Sequence, residues 1–138
     1  MRFENDSHLE REERAIKKFC SLHNLKCKKL GPNDIDFQIR KDNKVIGFVE
    51  VKGRHKDIKD AYPLPIAIRK IHKLQGEHGP RVNPIIIWAC HDGIIYGKLV
   101  KLKGTIRLGG RPPRKGAVND QEIMAYYNKQ EDIHHEQY

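Results

Sequence analysis

The sequence predicts an α/β domain in which a mixed β-sheet of about five strands is flanked by helices. Three observations support this prediction. Residues 7–23 have the pattern of an amphipathic helix, two β-prone runs within residues 34–52 are joined by a polar turn, and residues 84–91 form an apolar run. Such an apolar run is typical of a strand that is covered on both faces. We therefore expect helices to pack on both sides of the sheet.

The first predicted helix extends from about Ser7 to His23. Ser7 and Glu10 have the spacing of a capping box at its start. Glu12 falls within the apolar stripe of this helix, and Glu13 lies at the edge of the stripe. Because burying a carboxylate is costly unless it is paired or bound to a metal, Glu12 is either a functional acid or a first-turn residue at the solvent boundary. The stripe consists of Leu9, Ala15, Ile16, Phe19, Cys20 and Leu22.

The remaining elements follow in the order strand, hairpin, helix, hairpin. Pro65 suits the first turn of a helix, and Asp92-Gly93 is a strong signal for a hairpin turn. The predicted elements are strands at 25–30, 34–40 and 45–52, a helix at 65–75, and strands at 84–91 and 94–100.

The composition changes after residue 100. Gly, Pro and basic residues dominate up to residue 118 and leave little apolar surface to bury, whereas Asn119–Glu131 has the pattern of a last helix. We therefore expect a core of residues 1–100 and a basic C-terminal extension of residues 101–138 that includes this helix. Arg111 and Arg114 in the extension either contact DNA without sequence preference or belong to a segment that is disordered in isolation.

The overall composition limits the class of protein. The chain has 138 residues, which fits one domain. Its 27 Lys and Arg outnumber its 18 Asp and Glu, and the net charge of +9 favours a polyanionic partner. The three cysteines lack a CxxC pair, so we expect a reducing, intracellular environment. No secretory signal is expected, and no apolar run approaches the roughly 20 residues that span a membrane.

Two carboxylates and a lysine are expected to meet on the first hairpin. Glu50 and Lys52 are two residues apart on one strand, so their side chains share a face. Asp36 lies opposite Glu50 if the turn has three residues, whereas a two-residue turn would place Ile35 there. A catalytic site and a cross-strand salt bridge would both explain this trio. The position of Glu50 inside an apolar run favours the catalytic site.

The same trio suits phosphodiester hydrolysis. Two carboxylates form a compact oxygen site for Mg²⁺, and the main-chain carbonyl of Val51, between Glu50 and Lys52, is a further candidate ligand. The metal would activate a water molecule and neutralise charge on the phosphate. A neighbouring lysine can orient that water, help to take its proton or offset the phosphate charge.

A family resemblance adds to this interpretation. The chain resembles the PD-(D/E)xK nuclease superfamily at residues 31–37 (GPNDIDF) and 49–52 (VEVK), where an acidic residue opens one strand and E-x-K follows on the next. The resemblance covers about residues 7–100 and is nearest to small phage-type and Holliday-junction-resolvase-like members, with a basic residue at Arg54 and a loop tyrosine at Tyr62. It implies a restriction-endonuclease-like core.

The resemblance also implies roles for the matching residues. Asp34 is an alternative for the first acidic position, but Asp36 is preferred because an aromatic residue follows it and its spacing to Glu50 suits a short hairpin. A glutamate of the first helix is implied near the metal, and Glu13 is the alternative to Glu12. The expected catalytic residues are Asp36, Glu50, Lys52 and Glu12. The expected ligands of Mg²⁺, for which Mn²⁺ can substitute, are Asp36, Glu50 and Val51.

The expected function is a Mg²⁺-dependent endonuclease that hydrolyses DNA by metal-activated water. RNA stays open as a substrate. Two other functions also stay open: a module that binds nucleic acid without cutting it, and a structure-specific resolvase of junctions or flaps. By the same resemblance we expect a homodimer and a phage origin. The residues expected to contact nucleic acid are Arg54, Lys56, Lys70, Arg111 and Arg114.

Overall fold

The computed structural model describes residues 6–31, 36–76, 83–109 and 122–138, with the side chains of the first helix described from Leu9 onward. Within these ranges the chain forms two α-helices, nine β-strands and two short 3-10 turns. The helices and strands are α1 (Asp6–His23), β1 (Lys26–Lys29), β2 (Phe37–Lys41), β3 (Lys44–Gly53), β4 (Leu64–Ala67), α2 (Ile68–Gln75), β5 (Pro84–Ala89), β6 (Gly93–Lys98), β7 (Thr105–Gly109), β8 (Glu122–Tyr127) and β9 (His134–Gln137).

Six strands form one mixed sheet in the order β1-β2-β3-β5-β6-β9. Strands β3 and β5 are parallel, and the other neighbours are antiparallel. A parallel pair needs a crossover connection, which here contains β4 and α2. Three further strands form a second sheet in the order β4-β8-β7. The predicted α/β class with a mixed sheet is confirmed, and the architecture is consistent with a restriction-endonuclease-like core.

A separate layer covers each face of the central sheet. Helix α1 packs on one face, where Ala15 and Phe19 join Val49 of β3 in one apolar cluster. Helix α2 and the small sheet cover the other face, where the fully buried Trp88 donates its indole N–H to the carbonyl of Pro65 at 2.8 Å. All six residues of β5 are buried, as the sequence predicts for a strand between two layers.

The turn between β2 and β3 has two residues, not the three that the register of Asp36 opposite Glu50 was expected to require. Asp42 and Asn43 both have positive φ, at 51° and 64°, and Lys41 pairs with Lys44 across the turn. This conformation matches the right-handed twist of the strands, and Asn and Asp adopt it more easily than most residues.

A β-bulge restores the register that brings the acidic residues together. The pairing shifts by one residue within the hairpin, so that Ile46 of β3 has no partner on β2. Phe37 therefore lies opposite Val49. Continued by one residue, the same ladder sets Asp36 opposite Glu50.

The predicted C-terminal helix at Asn119–Glu131 is wrong. Residues Glu122–Tyr127 form β8, which pairs with β4 on one side and β7 on the other. A short apolar stretch fits both helical and strand periods, and here the neighbouring strands decide between them. Ala125 and Tyr127 of β8 lie in the core cluster of Trp88, and β9 pairs with β6. The described part of residues 101–138 is therefore built into the fold.

The structure also bears on the predictions for Pro65, the cysteines and membrane-spanning helices. Pro65 lies in β4, and α2 begins only at Ile68, because residues 64–67 pair with β8. All three cysteines are free thiols, with Cys20 and Cys90 buried. No helix within the described ranges is long and apolar enough to cross a membrane. Of the residues considered as candidates in the sequence, Asp34, Ile35, Arg111 and Arg114 lie outside the described ranges, as does the side chain of Ser7.

Candidate active site

The carboxylate of Glu50 is buried in the middle of the protein. Glu50 is 4% exposed, and among the residues that the structure describes it is the one charged residue in the buried class. Its Oε1 lies 2.9 Å from Nζ of Lys70 on α2. Its Oε2 is buried and has no hydrogen-bond partner in the described part of the chain. An unpartnered carboxylate oxygen in the interior costs free energy, which indicates a function beyond packing.

Asp36 lies at the bend before β2, beside this carboxylate. Its Oδ2 accepts a hydrogen bond from the main-chain N–H of Val51 at 2.8 Å, which holds the Asp36 carboxylate against β3. Burial raises the pKa of Asp36 to about 7, and the charge of Glu50 contributes to this rise. The Val51 amide and the charge of Lys70 oppose it. Two carboxylates this close resist simultaneous ionisation unless a cation compensates them.

Lys52 projects from the same face of β3 as Glu50. Partial burial lowers the pKa of the Lys52 ammonium group, and the positive charges of Lys70 and Arg69 on α2 lower it further. The negative charges of Glu122 and Glu50 act in the opposite direction. A lysine whose pKa is lowered releases its proton more readily, which is the property that a general base requires.

The two candidate glutamates of α1 have different surroundings. Glu12 Oε2 lies 3.8 Å from Nζ of Lys29, and the charge of Glu12 contributes to the raised pKa of Asp36. The Glu13 side chain is 61% exposed and pairs with Lys17 at 3.0 Å along the helix. Glu12 is thus the one whose charge acts on the carboxylate pair. Within the described ranges, no group of three or more His, Cys, Asp or Glu side chains is arranged to hold a metal ion.

Comparison with known proteins points to one family. The model of the family described as "Phage putative PDDEXK endonuclease" matches residues 1–132. The chain belongs to this family. Searches of the curated proteins and of the solved structures returned no match. Membership in the phage PDDEXK endonuclease family confirms the resemblance predicted from the sequence and indicates a nuclease. The match also continues past residue 100, over β7 and β8.

The carboxylates of this member of the family suit a divalent cation. A cation would compensate the buried Glu50 oxygen and the negative charge that raises the pKa of Asp36. Mg²⁺ prefers carboxylate and carbonyl oxygens and keeps several waters. Asp36 and Glu50 are therefore the side chains that could hold it, with the carbonyl of Val51 as a further candidate.

Three of the predicted phosphate-binding residues lie in the described part of the chain, each in a different environment. The guanidinium group of Arg54 donates to the main-chain carbonyls of Ala61 and Pro63, at 2.9 and 3.4 Å, so it braces the loop after β3. Lys56 is exposed in that loop. Lys70 faces the buried carboxylate.

Sequence reasoning missed two contributors to the electrostatics of the site. Lys70 was assigned to nucleic acid, but its ammonium group pairs with Glu50. A usable signal is that Lys70 lies one helical turn before the buried Leu74. The other contributor is Glu122 of β8, whose Oε2 accepts a hydrogen bond from Nε of Arg69 at 3.0 Å. No local pattern indicates this contact, because β8 is distant in sequence from α2.

Proposed function

We propose that this chain is a Mg²⁺-dependent endonuclease that hydrolyses DNA phosphodiester bonds by attack of an activated water. The observation that carries the proposal is the carboxylate pair of Asp36 and Glu50, in which the Glu50 Oε2 is buried without a partner among the described residues. An apolar side chain would occupy the Glu50 position at lower cost. Binding a cation explains why a carboxylate is found there.

Each residue of the site then has a chemical role. Asp36, Glu50 and the Val51 carbonyl would hold a divalent cation, which would supply the Lewis acidity that activates water and offsets phosphate charge. Lys52 in its neutral form takes a proton from the attacking water, which its lowered pKa favours. The water oxygen bonds to phosphorus as the bond from phosphorus to the leaving sugar oxygen breaks, and that oxygen takes up a proton.

Residues around the carboxylate pair tune its charge. The ammonium group of Lys70, 2.9 Å from Glu50 Oε1, is a positive charge beside the pair before a cation binds. Lys70 and Arg69 together place two positive charges on the α2 side, and these attract the phosphate of the substrate. Glu12 adds negative charge on the α1 side, which strengthens the attraction for a cation.

Cleavage of a substrate panel tests this function. The panel contains supercoiled plasmid, single-stranded DNA, flaps, four-way junctions and RNA, each with Mg²⁺, Mn²⁺ or EDTA. Wild type is compared with Lys52→Ala and Glu50→Gln, and the control is Lys103→Ala, which removes an exposed lysine elsewhere. We expect metal-dependent cleavage that falls about 100-fold or more in Lys52→Ala, since general-base catalysis contributes roughly that much, and that persists in the control.

The other outcomes separate the remaining functions. Cleavage confined to junctions or flaps would indicate a resolvase, and cleavage confined to RNA would change the substrate class. Binding of every substrate without cleavage would favour the non-catalytic module. Cleavage that both site variants retain would overturn the assignment of Glu50 and Lys52.

A further inference from the structure

The two outermost strands on one side of the central sheet carry a set of exposed basic side chains. Strand β1 is the edge of the sheet and pairs with β2, which in turn pairs with β3. In the β1–β2 ladder, Lys26 lies opposite Arg40 and Lys28 lies opposite Gln38. We call the three basic residues of these two pairs the basic strip: Lys26, Lys28 and Arg40.

Contacts of the neighbouring residue show which face the β1 lysines occupy. Nζ of Lys29 lies 5.1 Å from the centre of the Phe37 ring and 3.8 Å from Glu12 of α1, so Lys29 is on the α1 face. Because successive side chains of a strand alternate between faces, Lys28 and Lys26 project from the opposite face.

The same alternation places β2. Phe37 and Ile39 are buried in the α1 cluster, so Gln38 and Arg40 project from the opposite face. Asp36 comes directly before Phe37, so the same alternation places its side chain on the face of Gln38 and Arg40. The basic strip therefore lies on the face that carries the carboxylate pair.

The strip is exposed and continuous with the site. Helix α2 packs over β3 and β5 on this face, while Lys26, Lys28 and Arg40 are exposed to solvent. None of the acidic side chains in the described ranges forms an ion pair with them. Neighbouring strands are about 4.8 Å apart and alternate residues about 6.6 Å apart. Gln38 lies opposite Lys28 and two residues from Asp36, so the strip begins close to the site.

Protection of the sheet edge does not account for this pattern. Lysines are common on edge strands because they prevent pairing with other chains, and that explanation covers Lys26 and Lys28. Arg40, however, lies on β2, which is paired on both sides. Lys29, on the edge strand itself, is paired with Glu12. Among the described residues, the basic charge without an ion-pair partner thus follows the face of the carboxylate pair and not the edge.

We propose that Lys26, Lys28 and Arg40 bind the phosphate backbone of a nucleic acid whose scissile phosphate lies at Asp36 and Glu50. This inference rests on the proposed function and adds the direction from which the substrate crosses the sheet. Lysine and arginine at phosphates position a nucleic acid without reading its bases, so the contact is independent of sequence and depends on salt.

The test compares two triple variants of the full chain that remove equal charge. One is Lys26→Gln, Lys28→Gln and Arg40→Gln. The matched control is Lys98→Gln, Lys101→Gln and Lys103→Gln, three exposed lysines elsewhere. Both reduce the net charge of +9 by the same amount. Binding of a fluorescein-labelled DNA duplex is measured by anisotropy in EDTA, across a series of salt concentrations.

We expect the strip variant to lose affinity and salt dependence together. Loss of three phosphate contacts makes the slope of log affinity against log salt shallower by about 2 to 3. The control should change this slope by less than about 1. A charge-conserving variant, with Lys26→Arg, Lys28→Arg and Arg40→Lys, should bind like wild type. Equal losses in both glutamine variants, or an unchanged slope in the strip variant, would overturn the proposal.

The same proteins separate this proposal from the proposed function. If the strip variant loses binding but wild type cleaves no substrate, the strip proposal stands and the nuclease function is rejected. If wild type cleaves DNA and the strip variant binds it as tightly as wild type does, the nuclease function stands and the strip proposal is rejected. Mn²⁺ affinity, measured by calorimetry, should be the same in the strip variant and wild type, which shows that the carboxylate pair is intact.

Discussion

The ion pair between Glu50 and Lys70 joins β3 to α2 through partners of unequal exposure. The carboxylate is almost inaccessible to water, whereas the Lys70 side chain is 31% exposed. Removing one partner of a buried pair leaves the other charge uncompensated, which costs more than the pair contributes. This contact therefore holds α2 over the active end of β3, and it makes the metal-free protein sensitive to a change at Lys70.

Replacing Lys70 by Met removes the charge and keeps most of the side-chain volume. We expect the unfolding free energy in EDTA to fall by about 3 kcal/mol, because Glu50 is left buried without compensation. Mn²⁺ should then raise the Tm of Lys70→Met by more than it raises that of wild type, since the cation replaces the lost charge. Thermal unfolding with and without Mn²⁺ measures both effects. Lys73→Met on the same helix is the control, and equal Mn²⁺ shifts in all three proteins would contradict the explanation.

Asp36 should make the stability of the metal-free protein depend on pH. Its pKa is about 7 in the folded protein and 3.8 ordinarily, so between these values the folded state keeps a proton that the unfolded state has lost. The unfolding free energy contributed by Asp36 therefore falls as the pH rises through this window, by roughly 2 to 4 kcal/mol. Urea unfolding in EDTA at pH 5 and pH 8 should show a smaller fall for Asp36→Asn than for wild type. The same fall in both proteins would refute the assignment.

At the scale of elements, the β2–β3 hairpin sets the geometry of the site. Its two-residue turn alone would put Ile35 opposite Glu50, and the bulge at Ile46 shifts the register by one, so that the ladder continues to Asp36. The main-chain carbonyl of Ile46 accepts a hydrogen bond from the side-chain amide of Asn83 at 2.9 Å. Asn83 comes just before β5, so the neighbouring strand supports the bulge.

The turn itself can be tested at Asn43, which has φ of 64°. A β-branched side chain is strained in this conformation, so Asn43→Val should lower the unfolding free energy by about 1 to 2 kcal/mol. Asn43→Gly is the control and should be neutral or stabilising, because glycine has no side chain to strain. Urea unfolding compares the three proteins. A Val variant as stable as the Gly variant would show that the turn does not require the left-handed conformation.

At the scale of the whole molecule, the C-terminal region is part of the core. Tyr127 of β8 is buried, and its ring centre lies 6.0 Å from that of Trp88 on β5. The small sheet formed by β4, β7 and β8 thus packs against the central sheet through residues separated widely in sequence. The predicted homodimer stays a prediction.

Truncating Tyr127 tests this role of the C-terminal region. Tyr127→Ala should cost about 3 to 5 kcal/mol of unfolding free energy, as loss of a large buried aromatic side chain does. Tyr126→Ala is the matched control on the same strand: that ring is half-buried, with the guanidinium of Arg107 4.2 Å from its centre, so its loss should cost about 1 kcal/mol. Equal losses would show that β8 is not anchored through the Trp88 cluster.

Local patterns in the sequence determined much of this protein. Three local patterns indicate directly which faces are buried: the apolar stripe of α1, the alternation of the first hairpin and the apolar run of β5. The shared face of Glu50 and Lys52 follows from the same rule. These two positions, and Asp36 through the motif resemblance, could therefore be selected as site residues, and their catalytic roles stay predictions.

Only the tertiary structure decided the features that depend on distant pairings. Strand β8 replaced a predicted helix because β4 and β7 supply its hydrogen bonds. The bulge sets Asp36 beside Glu50, and the approach of α2 brings Lys70 to that carboxylate. Strand pairing likewise gathers the basic strip from β1 and β2. In each case the stabilising contacts form between groups that meet only when the chain folds, so no local pattern of the sequence indicates them.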